Sequence, residues 1–421
     1  MKMIKINCLS PFSRNEVFSN EELLIEILLH LPVKSLVRCK CVSKKWSSLI
    51  TSPEFTRLRV PSFNPARGLF LHCSSFLINP FHEFVSFTPR EPISAPFHKL
   101  TFIDDPSGIR ILQSCNGLLL CCSFRAHEPN INYYIYNPTT QQFVVLPKSG
   151  GKRQISKAVL GMKLAFDPRK SPNYKVICIR MSDELFLDQH YQIEIYASET
   201  KKWKLSGPPF LARYDIGFMY SGVYWNGAIY WACGDNSLRF DVEREKLEKF
   251  LMPCIGRSWD DDEESRVAYY GESCGYLHLV QVYSRQKLTF YNIYEMKSDG
   301  TEWFLEFKVN VEDVVNAFPH MIRQYLDPKD WHYLAMVVLC VVRGEKEEDA
   351  FMVLHIPKMV IHYNLRDYTF YKLCEFGNTS TQDDNCQFEE EDEDYEASVN
   401  LVSLEFDRSS VFQYIESLFS L

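Results

Sequence analysis

Two rhythms of apolar residues divide the chain. Between Leu23 and Ile50 apolar positions keep helical spacing. From about Ala66 onward they alternate with polar ones and are broken by Gly, Asn and Pro. The first helix is predicted to begin at an N-cap Ser19. Glu22 completes a capping box, and Phe18 and Leu23 form a hydrophobic staple. Leu23, Leu24, Ile27, Leu28 and Leu31 then share one stripe. Pro32 stops that helix, because the residue before a proline is pushed out of the helical region, and can open the next at its first position. Val33, Leu36, Val37 and Cys39 face inward from a second helix. A third starts at Ser43 and carries Trp46, Leu49 and Ile50; Ser52 caps and Pro53 opens a short fourth. A unit of about forty residues is marginal alone and leans on a neighbour.

The body repeats one phrase: aromatic strand, polar turn, aromatic or apolar strand. It occurs at Tyr134 to Pro147, Ile193 to Ser206, Leu238 to Pro253, Tyr291 to Phe307 and Val360 to Phe376. Three of these follow a glycine-kinked strand, in "SCNGLLLCC", "VYWNGAIYWAC" and "ESCGYLHLVQV", read as two inner strands after the glycine. Gly68 to Phe87 is a candidate sixth unit. Self-similar units of about four strands, recurring every forty to seventy residues, are the pattern of a β-propeller, here with about six blades. A β-sandwich with insertions is the alternative. The fold class expected is therefore α+β multidomain, a small all-α head followed by an all-β domain. The head takes 15–60, the β-domain 61–405, closed by a strand at Val399 to Leu404, and 406–421 is a tail.

Composition narrows the function. Aromatics make up 14% of the 421 residues, which suits strands. A formal net charge of −8 gives no bulk attraction to nucleic acid or membrane. The opening residues lack the apolar core of a signal peptide, and the longest apolar run, Leu334 to Val342, is too short to span a bilayer. The 14 Cys are scattered, which fits reduced thiols in cytoplasm or nucleus. Acidic stretches from Asp260 and from Glu375 read as solvated loops. Lys34, Arg38, Lys40, Lys44 and Lys45 give the head a local positive charge, either a solvated face or a steering surface for an acidic partner. A helix-turn-helix on DNA is disfavoured, since no recognition helix is identifiable.

One motif invites an enzymatic reading. Gly271-Glu272-Ser273-Cys274-Gly275 fits Gly-x-Ser-x-Gly, but a nucleophile elbow needs a helix after the serine. The residues after Gly275 alternate like a strand, so Ser273 is expected to be a strand-entry residue. No metal-ligand spacing and no phosphate-binding loop is present, and Trp203, Trp225 and Trp231 read as core. No catalytic residue, metal or cofactor is therefore assigned.

"LLIEILLHLPVKSLVRCKCVSKKWSSLITSPEF" resembles an F-box of the plant type, matching its Leu-Pro-Val-Lys-Ser-Leu run at Leu31 to Leu36 and its Val-Ser-Lys-x-Trp run at Val42 to Trp46. It departs from that family at the first helix, where Ser19-Asn20 replaces a Leu-Pro that touches the adaptor. "LAFDPRKSPNYKVICI", "SCNGLLLCC", "IYNPTTQQFVVLP" and "SVNLVSL" resemble, in order, phrases of the F-box-associated interaction domain. The chain is thus similar to plant F-box proteins with a C-terminal F-box-associated, kelch-like domain. The resemblance implies the substrate-recognition subunit of a Skp–cullin–F-box ubiquitin ligase, with no catalytic role of its own. It implies that Leu24, Ile27, Leu28, Leu31, Pro32, Leu36, Val42 and Trp46 bind a Skp-type adaptor, and through it a cullin-RING scaffold. The β-domain would bind a protein target that these phrases do not name. The competing reading is a sugar-binding or hydrolytic propeller with the head as a relic; a convergent carboxylate or metal cluster would favour it.

Overall fold

The computed structural model describes residues 20–59, 64–72, 80–88, 93–124, 130–149, 159–182, 190–212, 218, 222–233, 236–253, 265–283, 288–376 and 411–421. Among the described residues the head is four short helices: α1 (Glu21–Leu29), α2 (Val33–Cys39), α3 (Lys44–Thr51) and α4 (Pro53–Arg59). The cap of α1 is Asn20, not Ser19. Its side-chain oxygen accepts from the backbone N–H of Glu22 at 3.1 Å and of Leu23 at 3.4 Å. Asparagine caps as well as serine, and this one sits a residue closer to the first turn. Glu22 is then too early for a capping box; Ser19 and Phe18 lie outside the described residues. Pro32 stands at the cap of α2 rather than inside it, with ψ 149°. Ser43 caps α3 by accepting from Trp46 N at 3.1 Å, and Ser52 accepts from Phe55 N at 3.1 Å. The Arg59 guanidinium, at the end of α4, donates to Leu29 O and Leu31 O and so satisfies carbonyls that the end of α1 leaves open.

Six antiparallel sheets follow among the described residues. β1 (Gly68–His72) and β2 (His82–Ser86) come first but belong to the last blade. Blade one is β3 (Ile109–Cys115), β4 (Leu118–Ser123), β5 (Tyr133–Asn137) and β6 (Gln142–Val145). Blade two is β7 (Val159–Ala165), β8 (Lys175–Met181), β9 (His190–Ala197) and β10 (Lys202–Leu211). Blade three is β11 (Gly222–Trp225), β12 (Ala228–Trp231), β13 (Leu238–Asp241) and β14 (Lys246–Lys249). Blade four is β15 (Ser265–Ser273), β16 (Tyr276–Tyr283), β17 (Phe290–Met296) and β18 (Trp303–Asn310). A connection carrying α5 (Glu312–Ala317) leads to blade five: β19 (Val337–Val342), β20 (Phe351–Ile356), β21 (Met359–Asn364) and β22 (Phe370–Glu375). The sixth blade adds β23 (Val411–Tyr414) beside β1, in the order β2-β1-β23.

The first strand of each blade, and β23 in the sixth, lines the middle of a six-bladed propeller. The sandwich alternative is ruled out by where the core lies. A sandwich sheet has one inner face, whereas every residue of β4, β5 and β12 is buried. Apolar clusters fill the gaps between successive blades: Leu118 and Ile135 meet Leu164 and Val176 between one and two, and Ile177 and Ile193 meet Ile229 and Phe240 between two and three. Phe70, Phe412 and Tyr414 meet Ile111 and Tyr136 between six and one. The run from Leu334 to Val342, long and apolar in sequence, ends in the strand β19, whose residues Val338 to Val342 are buried on both faces.

The glycine-kinked phrases are not strand entries. Asn116-Gly117, Asn226-Gly227 and Cys274-Gly275 are the two-residue turns between the first and second strands of blades one, three and four. Both residues of each have positive φ, from 45° to 53° before the glycine and 84° to 90° at it, as a tight hairpin with matching twist requires. The inner strand therefore precedes the glycine. The closing strand expected at Val399 to Leu404 lies outside the described residues; the pairing with β1 that closes the ring is made by Val411–Tyr414, with Phe70 opposite Phe412.

Candidate functional site

The head divides the residues of its motif into two groups. Leu24, Leu28 and Leu36 are buried to 1% or less and form the head's own core with Ile50 and Phe55. Leu31 and Trp46 are half-buried against that core. Pro32 is exposed, as are Ile27 at 47% and Val42 at 63%. The single stripe read from the sequence is in fact two. Leu24 and Leu28 point in, while Leu23 and Ile27, one position earlier at the same four-residue spacing, point out. Two exposed apolar residues were missed as candidates, Leu23 at 43% and Leu58 at 62%. The signal for Leu23 was present, since a helix with apolar residues at both i and i+1 has more apolar surface than one core needs. Arg38, Lys44 and Lys45 are exposed in the sequence either side of Val42, and partial burial lowers the pKa of Lys40. Apolar residues with interspersed cations suit a partner surface that is apolar and acidic.

The head core contains one residue from the far end of the chain: Leu418, 4% exposed. After β23 the chain runs between the head and the ring. Asn137, fully buried in β5, donates its side-chain amide to Ser417 O at 3.1 Å and Phe419 O at 2.7 Å. Ser417 N donates to Thr139 Oγ1 at 3.1 Å, and Leu421 N to Gln142 Oε1 at 3.2 Å. The Phe419 ring packs 4.7 Å from that of Phe166 in the core between blades one and two. This places the head at the face of the ring that carries the first-to-second-strand turns. Val33 and Arg59 share a pocket there with Asn116 and Pro168. Alternation of strand direction sends the blade-to-blade connections, including the one with α5, to the opposite face.

Through the ring runs a cavity of about 940 Å³, walled by inner strands and reaching from Arg266 and Met252 to Glu272 and Ile415. Several of its polar groups stitch the blades together. Gln113 makes both bonds of a clamp to Leu164, donating to O at 3.0 Å and accepting from N at 2.7 Å. Asn116 donates to Phe166 O at 2.7 Å. Gln413 of β23 accepts from Ser114 Oγ at 2.5 Å through its carbonyl and donates to Glu272 O at 3.0 Å. Lys163 also lines the cavity, 2% exposed, and burial pushes its pKa down to about 7.

Ser273 ends β15, is 2% exposed, and is followed by a hairpin turn instead of a helix. Its Oγ accepts from Arg343 N at 3.0 Å. It therefore lacks the exposure and the oxyanion donor of a nucleophile elbow. Among the described residues no group of three or more His, Cys, Asp or Glu is placed to hold a metal ion. No described helix is long and apolar enough to cross a membrane.

Comparison with known proteins places this architecture. Residues 20–58 match the F-box domain, and residues 73–288 match the F-box associated beta propeller domain. An F-box protein of Arabidopsis thaliana is 34% identical over 385 residues, covering 87% of this chain and 88% of its own. A second from the same plant is 32% identical over 254 residues, covering 55% of this chain and 59% of its own. A TolB of Acinetobacter baumannii, a solved structure, is similar at 11% identity and TM-score 0.34, covering 70% of this chain and 62% of that one. The chain belongs to the F-box proteins that carry an F-box associated β-propeller domain.

Proposed function

We propose that this chain is the target-recognition subunit of a Skp–cullin–F-box ubiquitin ligase. The head docks to a Skp-type adaptor, and the propeller holds a protein target on the face opposite the head, in cytoplasm or nucleus. The observation that carries the reading is the exposure of Ile27 on α1 and of Val42 at the start of the second F-box motif, beside a head core that is filled without them. The chain contributes proximity: a target held on the ring stays near the conjugating enzyme brought by the cullin, and its lysines react at a high effective concentration. Bond-making belongs to other subunits.

The test is the double substitution Ile27→Asp with Val42→Asp. Burying two half-exposed aliphatic side chains contributes about 1–2 kcal/mol each, and carboxylates at those places add a desolvation cost. Adaptor affinity, measured by calorimetry on the full chain, should fall by more than about 100-fold, with thermal unfolding unchanged. Undiminished binding would sink the assignment.

A further inference from the structure

The last eleven residues, "VFQYIESLFSL", carry out two assembly steps on one short segment. Val411–Tyr414 supplies the innermost strand of the sixth blade and so closes the ring. Four residues beyond Tyr414, Leu418 enters the head core, and the next residue, Phe419, turns back into the ring core. Consecutive residues of an extended chain point to opposite sides, which lets one segment serve both cores. Between them Ser417 lies against the Asn116-Gly117 turn. A Cβ on Gly117 would come 2.5 Å from Ser417 Cβ, so this approach requires glycine.

We infer that the C-terminal segment is a strap that makes the head's competence to bind its partner conditional on closure of the propeller. Leu418 reaches the head only from a chain held by β23 on one side and by Asn137 and Phe166 on the other. In a ring that has not closed, the strap is free and the head, already marginal at its size, lacks one of its fully buried residues. The head then loosens, and the motif surface on α1 and α2 loses its shape. A chain with an unclosed propeller, unable to hold a target, would not occupy an adaptor. The adaptor part of this inference rests on the proposed function; the coupling of strap to head does not.

The experiment uses the full chain and two variants. Leu418→Ala removes only the head-side contact. Asn137→Ala removes the ring-side anchor and touches no head residue. Hydrogen exchange read by mass spectrometry is expected to rise at least tenfold across residues 21–59 in both variants, with β7 to β22 keeping their protection. Affinity for a Skp-type adaptor should fall by a similar factor in both. Unchanged exchange in the head of both variants would overturn the strap. If the unsubstituted chain fails to bind adaptor, the functional reading falls, and head exchange still decides the coupling.

Discussion

Gly117→Ala, compared with Gly227→Ala and Gly275→Ala, isolates what the strap contributes. The three glycines occupy the same turn position with φ of +90°, +84° and +87°. Forcing an alanine into that left-handed region costs about 1–2 kcal/mol wherever it is done. The surroundings differ. Nothing lies within 4 Å of a Cβ on Gly275, and one on Gly227 meets only the flexible Lys170 Nζ at 4.0 Å. One on Gly117 would lie 2.5 Å from Ser417 Cβ and 2.9 Å from Ile415 O, both on the strap. Relief requires the strap to move, which breaks the bonds from Asn137 to Ser417 O and Phe419 O. Leaving that buried amide without acceptors costs about 1–3 kcal/mol. Gly227→Ala and Gly275→Ala should therefore lower stability by about 1–2 kcal/mol and Gly117→Ala by about 2–5 kcal/mol. Denaturant midpoints measure the difference. Amide exchange of residues 415–421 locates it, since about 2 kcal/mol corresponds to roughly 30-fold faster exchange. Equal losses in all three variants, with strap exchange unmoved, would refute the reasoning.

Two further predictions concern buried polar groups. Lys163 has its pKa lowered by burial to about 7, so the unfolded chain binds more protons between there and about 10.5, and stability rises with pH across that window. Lys163→Met should remove about 2 kcal/mol of the gain between pH 7 and 9, measured by urea unfolding at both values; an unchanged slope would mean that Lys163 keeps its charge across that window and would refute the lowered pKa. Ser273→Ala should cost about 1–3 kcal/mol, by leaving the Arg343 N–H without its acceptor, while adaptor and target binding stay intact. Loss of function in a folded Ser273→Ala would revive a catalytic role.

What the sequence disclosed follows from how local each determinant is. The five hairpins were legible because an aromatic strand, a polar turn and a second strand are a contiguous signal, and each proved to be the third and fourth strands of a blade. Ser43 was legible as a cap for the same reason. The position of the inner strand was misread because a glycine in a strand pattern marks an entry or a turn equally well; only pairing across Asn116-Gly117 distinguishes them. Ring closure was expected from a strand at Val399 to Leu404, outside the described residues; the closing role of Val411–Tyr414 was not read because its partner is far away in sequence. Val411–Tyr414 looks like any short apolar run until Gly68–Leu71 is laid beside it. The two stripes of α1 were merged because periodicity gives the angle between residues and not which side the core occupies.

The strap also bears on how the two ends of the molecule are related. A head joined to a propeller by the single crossing near residue 60 would pivot against the ring, and under the proposed function a target on the far face would sweep a wide volume relative to the adaptor. The second crossing changes this. Leu418 in the head and Phe419 in the ring are adjacent residues, so the two cores are held within one peptide unit of each other. Arg59 at the end of α4, Arg67 before β1 and Glu416 of the strap line one pocket, which brings both crossings to the same place on the ring. Two chain segments meeting at one point leave little freedom for the head to swing, and under the proposed function that fixed separation is what holding a target near a conjugating enzyme requires. The small size of the head follows from the same geometry. It has no need of a self-sufficient core, because the ring it serves supplies the last piece.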